Sequence, residues 1–312
     1  MPDSAPLIGI DSAPIPTGAV AEWFSGAGGA RLRAALFPAT GTARGSVVLS
    51  PGRTEPIEKY FEVVDELRAR GFAVLVHDWR GQGLSHRLLP DRLPGHAVGS
   101  DDFVADYRNL LDAFVDRLPE PWIAVGHSMG GCLTLLALAR GERRFSAAIL
   151  SAPMLGLQTG AVPFLVARAT AALAKPFGRA GKAAIKSSAE PVGFDANILT
   201  HDRARYERNE AQVAACPDLF LGAPTWGWLD FAFSATRELQ TGRGVTDISL
   251  PFTVLAAGEE RLVDNAASRR VTARIAGARY VEVPGAYHEL LQETDDLRAA
   301  FWREFDALVA RL

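Results

Sequence analysis

The stretch from Pro121 to Arg140 constrains this chain more than any other. An apolar run, Trp122 to Val125, has the length and composition of a buried strand, and a helix-compatible segment, Cys132 to Arg140, follows it. Between them lies Gly-His-Ser-Met-Gly, with Ser128 at its centre. A serine at so sharp a turn needs glycines two residues before and two residues after it, because side chains at those positions would collide. The pattern predicts a nucleophilic serine; the alternative is a non-catalytic glycine-rich turn.

Composition narrows the class of protein. A length of 312 residues allows one large domain, or one domain with a sizeable insertion, and 48% hydrophobic residues suffice for its core. A net charge of −3 does not favour nucleic acid as a partner. The two cysteines, Cys132 and Cys216, have no spacing typical of a disulfide framework or a metal site.

The start of the chain bears on the location of the protein in the cell. Residues 1–20 lack a basic segment followed by a long apolar one, so no signal peptide is expected there. The sequence also contains no apolar run long enough for a transmembrane helix. We expect a cytoplasmic protein, at most peripheral to the inner face of a membrane.

Strand and helix patterns alternate over most of the chain. Predicted strands are Arg31–Phe37, Ser46–Ser50, Phe72–Asp78, Trp122–Val125, Ala147–Ser151, Phe252–Ala257 and Tyr280–Val283. Predicted helices are Ile57–Arg70, Phe103–Leu118, Cys132–Arg140, Ala266–Ile275 and Thr294–Leu312. This alternation indicates an α/β fold with a mostly parallel sheet and helices on both faces.

The alternation stops between residues 153 and 250. A hundred residues between consecutive strands are too many for one crossover, and segments such as Val162–Leu173 and Arg203–Ala215 read as helices. We therefore predict a loose N-terminal segment (1–20), a core (21–152 and 251–312) and an inserted, mainly helical cap (153–250). The cap aromatics Trp226 and Trp228 either line an acyl pocket or hold the cap together.

A nucleophilic serine requires a histidine as base and a carboxylate that orients the histidine. When the serine lies at such a strand-to-helix turn, the carboxylate follows it in the chain and the histidine comes last. His288 is the predicted base, because it lies in a loop after the last strand; the other histidines precede the serine or lie in the cap. Glu259, Glu260 and Asp264 follow the strand Phe252–Ala257. Of these we predict Asp264, whose loop is long enough to reach His288.

Two backbone N–H groups are predicted to form an oxyanion hole. One belongs to Met129, directly after the serine, and the other comes from the loop after the strand Ser46–Ser50. Pro51 has no N–H, so Arg53 is the expected second donor. Asp78, after an earlier strand, is expected to anchor the following turn as a structural carboxylate.

Several segments together resemble a known family. They are SPGRTEPIEKY, HDWRGQGLSHR, GHSMGG, ILTHDRARYERN, GAPTWGW, RLVDN and GAYHELLQE. The chain resembles the α/β-hydrolases of the serine-hydrolase branch that holds bacterial lysophospholipase L2-type enzymes and monoacylglycerol lipases. The resemblance implies the same triad, Ser128, Asp264 and His288, and the cap motifs and PGR loop favour the lysophospholipase group.

The predicted function is hydrolysis of the acyl ester of single-chain lipids, lysophospholipids first, with no metal or cofactor. Alternatives are a monoacylglycerol lipase or general carboxylesterase, a serine aminopeptidase with Glu207 or Glu210 binding the substrate amine, and a non-enzymatic lipid-binding protein. The oligomeric state stays open.

Arginines of the cap offer a second prediction about the substrate. Arg203, Arg205 and Arg208 follow one another closely, and Arg53 lies beside the oxyanion loop. A guanidinium suits a phosphodiester, so Arg203 or Arg205 is predicted to bind the head-group phosphate. The alternative is a solvated helix face with an Arg203–Glu207 ion pair.

Overall fold

The computed structural model describes residues 3–185 and 193–312. The predicted N-terminal segment and the predicted cap each include residues outside these ranges, namely 1–2 and 186–192. Within residues 3–20, Asp3–Ser4 forms a short strand and Ala13 is buried.

A single nine-stranded sheet runs through the molecule. Its strands are β1 (Asp3–Ser4), β2 (Val20–Ser25), β3 (Arg31–Phe37), β4 (Gly45–Ser50), β5 (Phe72–His77), β6 (Trp122–His127), β7 (Phe145–Ser151), β8 (Phe252–Ala257) and β9 (Arg279–Val283). The order is β1-β2-β3-β5-β4-β6-β7-β8-β9. The first three strands pair antiparallel, up to and including the pairing of β3 with β5, and all later pairs are parallel. The predicted mostly parallel α/β sheet is confirmed.

Helices cover both faces of the sheet. They are α1 (Phe61–Ala69), α2 (Asp101–Phe114), α3 (Ser128–Ala139), α4 (Phe164–Ala174), α5 (Arg203–Ala215), α6 (Trp226–Thr241), α7 (Asn265–Thr272) and α8 (Asp295–Val309). One apolar core holds α2, α3, α6 and α7 against one face, and the other holds α1 and α8 against the opposite face. Central strands β4, β5, β6 and β8 are buried along their whole length, which explains their continuous apolar runs.

Strands β1 and β2, at the antiparallel edge, are the part of the sheet that the sequence patterns do not predict. Strand β2 pairs with β3 along its full length, yet it contains Glu22, a charged residue that is buried. Arg117 donates hydrogen bonds to both carboxylate oxygens of Glu22. The charged residue interrupts the apolar pattern that would otherwise mark β2 as a strand. Its partner is so distant in the sequence that the local pattern gives no sign of the ion pair.

Helices α4, α5 and α6 belong to the insertion between β7 and β8. Helix α6 joins the insertion to the core, because Trp228, Phe231, Ala235 and Leu239 are buried in the same apolar cluster as α3. The rings of Phe231 and Phe103 lie 5.0 Å apart. Trp228 and Phe231 therefore pack the insertion on the sheet domain.

Candidate active site

Ser128 lies where β6 passes directly into α3. Its φ of 48° falls in the left-handed region, which costs free energy for any residue with a Cβ atom. The neighbouring glycines allow this turn to pack: a Cβ on Gly130 would lie 2.1 Å from the Ser50 carbonyl oxygen, and one on Gly126 would lie 2.8 Å from the Cα of Gly131. The strained turn presents the Ser128 hydroxyl at the carboxyl edge of the parallel strands.

His288 meets Ser128 across this edge. Its Nε2 atom lies 2.9 Å from Ser128 Oγ, although the two residues are 160 positions apart in the chain. The imidazole is buried, and the carbonyl oxygen of His288 lies 3.2 Å from Nε2 of His127. The structure thus brings the predicted nucleophile and base together.

The carboxylate on the other side of His288 is Glu260, not Asp264. Glu260 Oε2 lies 2.7 Å from His288 Nδ1, and its side chain is 2% exposed. Its Oε1 accepts hydrogen bonds from the N–H groups of Leu262 and Val263. Burial alone would raise the pKa of Glu260, but the hydrogen bond and charge of His288, with these N–H groups, hold it below the ordinary value.

Asp264 contacts other groups, so the prediction that its carboxylate pairs with His288 is wrong. Its side chain accepts a hydrogen bond from the N–H of Ala266 and caps the N-terminus of α7, while Arg270 lies 3.7 Å away. An aspartate directly before a predicted helix is a signal for an N-cap, and that signal was present in the sequence. Glu260 needs no long loop, because it comes just after Ala257, where β8 ends, and has the longer side chain.

The loop after β4 carries Arg53, the expected second oxyanion donor. Trp79 Nε1 donates to the Pro51 carbonyl oxygen at 2.8 Å, and Gln82 Nε2 donates to that of Gly52 at 2.8 Å. Thr54, a β-branched residue, has a φ of 67°. On the opposite side, Met129 belongs to the first turn of α3, where backbone N–H groups have no intrahelical acceptor. Two side-chain hydrogen bonds thus hold the loop that carries Arg53.

A layer of buried charged side chains contacts this loop. Glu55 Oε2 accepts from the Gly52 N–H, from Tyr60 Oη and from His127 Nδ1, and Lys59 contacts both Glu55 and Glu289. Burial would raise the pKa of Glu55, but the charges of His127 and Lys59 hold it well below the ordinary value. Burial would lower the pKa of His127, but the charge of Glu55 raises it on balance. Sequence reasoning missed this layer, because its members come from separate segments.

Asp78 is a structural carboxylate, as predicted. It accepts hydrogen bonds from the N–H groups of Ile57 and Leu84 and forms a buried ion pair with Arg33. A Cβ on Gly83 would lie 2.2 Å from the Asp78 carboxylate, so the following turn requires glycine there.

The predicted phosphate ligands of the cap are engaged in ion pairs. Arg203 contacts Asp195 at 2.7 Å and Glu207 at 3.2 Å, and its side chain is half exposed. Arg205 contacts Glu62, Asp202 and Asp295. These carboxylates already neutralise both guanidinium groups, so the structure favours the alternative of an ion-paired helix face over a phosphate site at Arg203 or Arg205.

The two tryptophans proposed as substrate contacts lie in different surroundings. Trp228 is 9% exposed and, with Met129, lines a small cavity. Trp226 lines a separate, open cavity of about 480 Å³ together with Leu173 and Phe177 of the insertion. Of the two, Trp228 is the one beside the candidate oxyanion donor.

The described ranges contain no group of three or more His, Cys, Asp or Glu side chains arranged to hold a metal ion. Across those same ranges, no helix combines the length and the apolarity needed to span a membrane.

Comparisons with known proteins identify the family and several relatives of this chain. A family model described as serine aminopeptidase, S33 (Hydrolase_4), matches residues 41–295. Lysophospholipase L2 of Escherichia coli is 37% identical over 265 residues, which cover 81% of this chain and 76% of that protein. Monoacylglycerol lipase of Mycolicibacterium smegmatis is 29% identical over 275 residues, 87% of this chain and 91% of that protein.

Solved structures share the fold. A soluble variant of monoglyceride lipase from Saccharomyces cerevisiae, in complex with a substrate analogue, superposes with a TM-score of 0.73 at 20% identity, covering 96% of this chain and 98% of that one. A carboxyl esterase from Bacillus coagulans superposes with a TM-score of 0.72 at 16% identity, covering 94% and 98%.

Proposed function

Because the chain belongs to the Hydrolase_4 family, described as serine aminopeptidase, S33, and is a hydrolase of the α/β-hydrolase fold, we propose that it cleaves the acyl ester of single-chain lipids. The observation that carries the proposal is the continuous relay from Ser128 Oγ through His288 to Glu260, with contacts of 2.9 and 2.7 Å. Such a relay is the arrangement that activates a serine hydroxyl for attack on a carbonyl carbon.

In the proposed mechanism, His288 Nε2 accepts the proton of Ser128 as its oxygen attacks the acyl carbonyl. The Met129 and Arg53 N–H groups stabilise the oxyanion. His288 then protonates the departing glycerol oxygen, which leaves an acyl-enzyme, and a water molecule cleaves that ester by the reverse proton transfers. Glu260 stays ionised throughout, orients the imidazole and stabilises its protonated form.

Lysophospholipids are the substrates that we propose first, since the relative at 37% identity is a lysophospholipase. The second candidate is a monoacylglycerol, supported by the lipase at 29% identity and by the fold of the yeast lipase. An aminopeptidase would need a cap carboxylate to bind the substrate amine, and one candidate, Glu207, is paired with Arg203.

We also propose peripheral contact with a membrane, where such lipids reside. Its support is a set of exposed apolar side chains in the insertion, defined here as the apolar cap surface: Leu165, Val166, Leu173 and Phe177. Lys175, Arg179 and Lys182 are exposed beside them and carry charge complementary to anionic lipids.

The test combines a covalent probe with a substrate panel. A fluorophosphonate should label Ser128 alone, and Ser128→Ala should lower ester hydrolysis on the order of 10⁴-fold or more. The panel holds lysophosphatidylethanolamine, a monoacylglycerol of the same acyl chain, a butyrate ester and an aminoacyl amide. Labelling of another serine would contradict the assignment of the nucleophile, and turnover of the amide alone would replace the lipid esterase with an aminopeptidase.

A further inference from the structure

The side chain of Arg53 stands apart from the other arginines near the site. Its Nη2 donates to the Gly222 carbonyl oxygen, and its Nε is buried without a hydrogen-bond partner. Among residues 3–185 and 193–312, no carboxylate lies within ion-pair distance of this guanidinium. By contrast, Arg203, Arg205 and Arg208 each contact at least one carboxylate.

The Arg53 guanidinium fills a space that exists because residue 95 is a glycine. A Cβ on Gly95 would lie 2.6 Å from Nη2 of Arg53, so a larger residue at position 95 would displace it. The ring of Trp228 lies 5.3 Å from the guanidinium carbon, within the range of a cation–π contact. Gly95 and Trp228 also line the small cavity that Met129 borders, which puts the guanidinium beside the candidate oxyanion site.

An unpaired cation in such surroundings is costly. Burial lowers the pKa of Arg53 to about 10. A carbonyl dipole and an aromatic face compensate a desolvated charge less well than an anion does, and groups held in this way are concentrated at functional sites. Binding of an anion here would therefore gain both a charge interaction and a partner for Nε.

The chemistry of the substrate indicates which anion fits. In the proposed mechanism the Arg53 N–H donates to the acyl carbonyl oxygen. The guanidinium belongs to the same residue, so it can contact a group further along the same substrate. In a lysophospholipid, the glycerol unit separates the ester from a phosphodiester, which a guanidinium binds through two parallel hydrogen bonds. A monoacylglycerol carries a hydroxyl at that position.

We propose that the Arg53 guanidinium binds the phosphodiester of the substrate and is the residue that selects lysophospholipids over monoacylglycerols. The inference rests on the proposed ester hydrolysis at Ser128 and names its substrate class. It assigns to one residue two separable contributions: a backbone donor that every ester uses and a side chain that only a phosphorylated substrate uses.

The experiment compares two substrates with the same acyl chain, lysophosphatidylethanolamine and monoacylglycerol. Arg53→Met removes the charge while it keeps an unbranched side chain and the backbone N–H. We expect kcat/KM to fall about 10- to 100-fold more on the lysophospholipid than on the monoacylglycerol, the range of a hydrogen bond to a charged group. Arg53→Lys should fall between wild type and Arg53→Met on the lysophospholipid. Arg203→Met, on an exposed helix face, is the matched control and should alter neither rate.

Equal losses on both substrates would overturn the inference and leave Arg53 a support of the loop, with the ester hydrolase intact. Failure of the wild type to cleave either substrate would instead refute the proposed function. A second measurement does not depend on the folding of Arg53→Met: sn-glycerol 3-phosphate should inhibit butyrate ester hydrolysis by the wild type competitively, and glycerol should not. Inhibition by neither compound would also overturn the inference.

Discussion

At the scale of single residues, two carboxylates near His288 have different partners, and we propose a catalytic role for one and a structural role for the other. Glu260 contacts the imidazole, whereas Asp264 caps α7. The two residues are close in the sequence and belong to the same loop, but their carboxylates have different partners. Neutralising each in turn should affect different measurements.

We predict that Glu260→Gln lowers kcat by about 10⁴-fold, because a carboxamide allows His288 to adopt the wrong tautomer, with little change in fold. Asp264→Asn should retain most of the activity and lose at most about 1 kcal/mol in the free energy of unfolding, since asparagine also caps helices. Steady-state kinetics and urea unfolding of both variants distinguish the roles. A larger loss of kcat in Asp264→Asn would restore Asp264 as the acid.

A second prediction at this scale concerns pH. The raised pKa of His127 means that its ion pair with Glu55 stabilises the fold fully below the ordinary histidine value and loses this contribution as pH rises through the raised pKa. His127→Gln should therefore be destabilised by about 3 kcal/mol near pH 6, as for one broken buried pair, and by less toward pH 9. Urea unfolding at a series of pH values measures the difference. A gap between the two proteins that stays constant with pH would contradict this account of His127.

At the scale of elements, the loop that carries His288 is joined to the insertion by one buried carboxylate. Glu293 accepts hydrogen bonds from the N–H groups of Tyr287 and His201, at 2.7 and 2.9 Å, and from the His201 ring. The Glu289 N–H donates to the carbonyl oxygen of Leu199 in the same connection. The position of His288 thus depends on where the segment before α5 lies.

Glu293→Gln should weaken this junction. The new amide group faces N–H donors instead of offering them an acceptor, which costs about 1–3 kcal/mol. We expect a lower free energy of unfolding and a reduced kcat, with KM for a butyrate ester nearly unchanged. Glu259→Gln, at an exposed position near the acid, is the control. Unchanged kcat in Glu293→Gln would show that the loop keeps its geometry without the junction.

At the scale of the whole molecule, the candidate active site and the apolar cap surface lie on different parts of the chain. The sheet domain carries Ser128, His288 and Glu260, while Leu165, Val166, Leu173 and Phe177 lie exposed on the insertion. In the proposed membrane contact, the apolar cap surface binds the lipid surface and the triad carries out the chemistry. Membrane contact and chemistry should therefore be separable by mutation.

Replacing both Leu165 and Phe177 by serine should weaken binding to phosphatidylglycerol vesicles by about 10-fold or more, since each buried apolar side chain contributes about 1.5–3 kcal/mol. Hydrolysis of a soluble butyrate ester should be unaffected, because neither residue contacts the triad. Val115→Ser, an exposed apolar position after α2, provides the control in the co-sedimentation assay. Equal vesicle binding by all three proteins would rule out this surface as the contact.

The sequence by itself determined the features that rest on local chemistry. Apolar runs and helical periodicity located most of the strands and helices, because the parallel strands are buried on both faces. Gly126, Ser128 and Gly130 marked the strained turn, and the position of His288 after the last strand marked the base. Each of these depends on neighbours in the chain.

Tertiary structure alone decided which distant groups meet. Glu260 and Asp264 are both carboxylates after the same strand, and only the packing of the His288 loop against the end of β8 selects between them. Likewise, Arg205 and Arg53 have the same side chain, but Arg205 contacts carboxylates, whereas Arg53 has no carboxylate partner within the described part of the chain. A side chain's chemistry is local, whereas its partner depends on the folded chain.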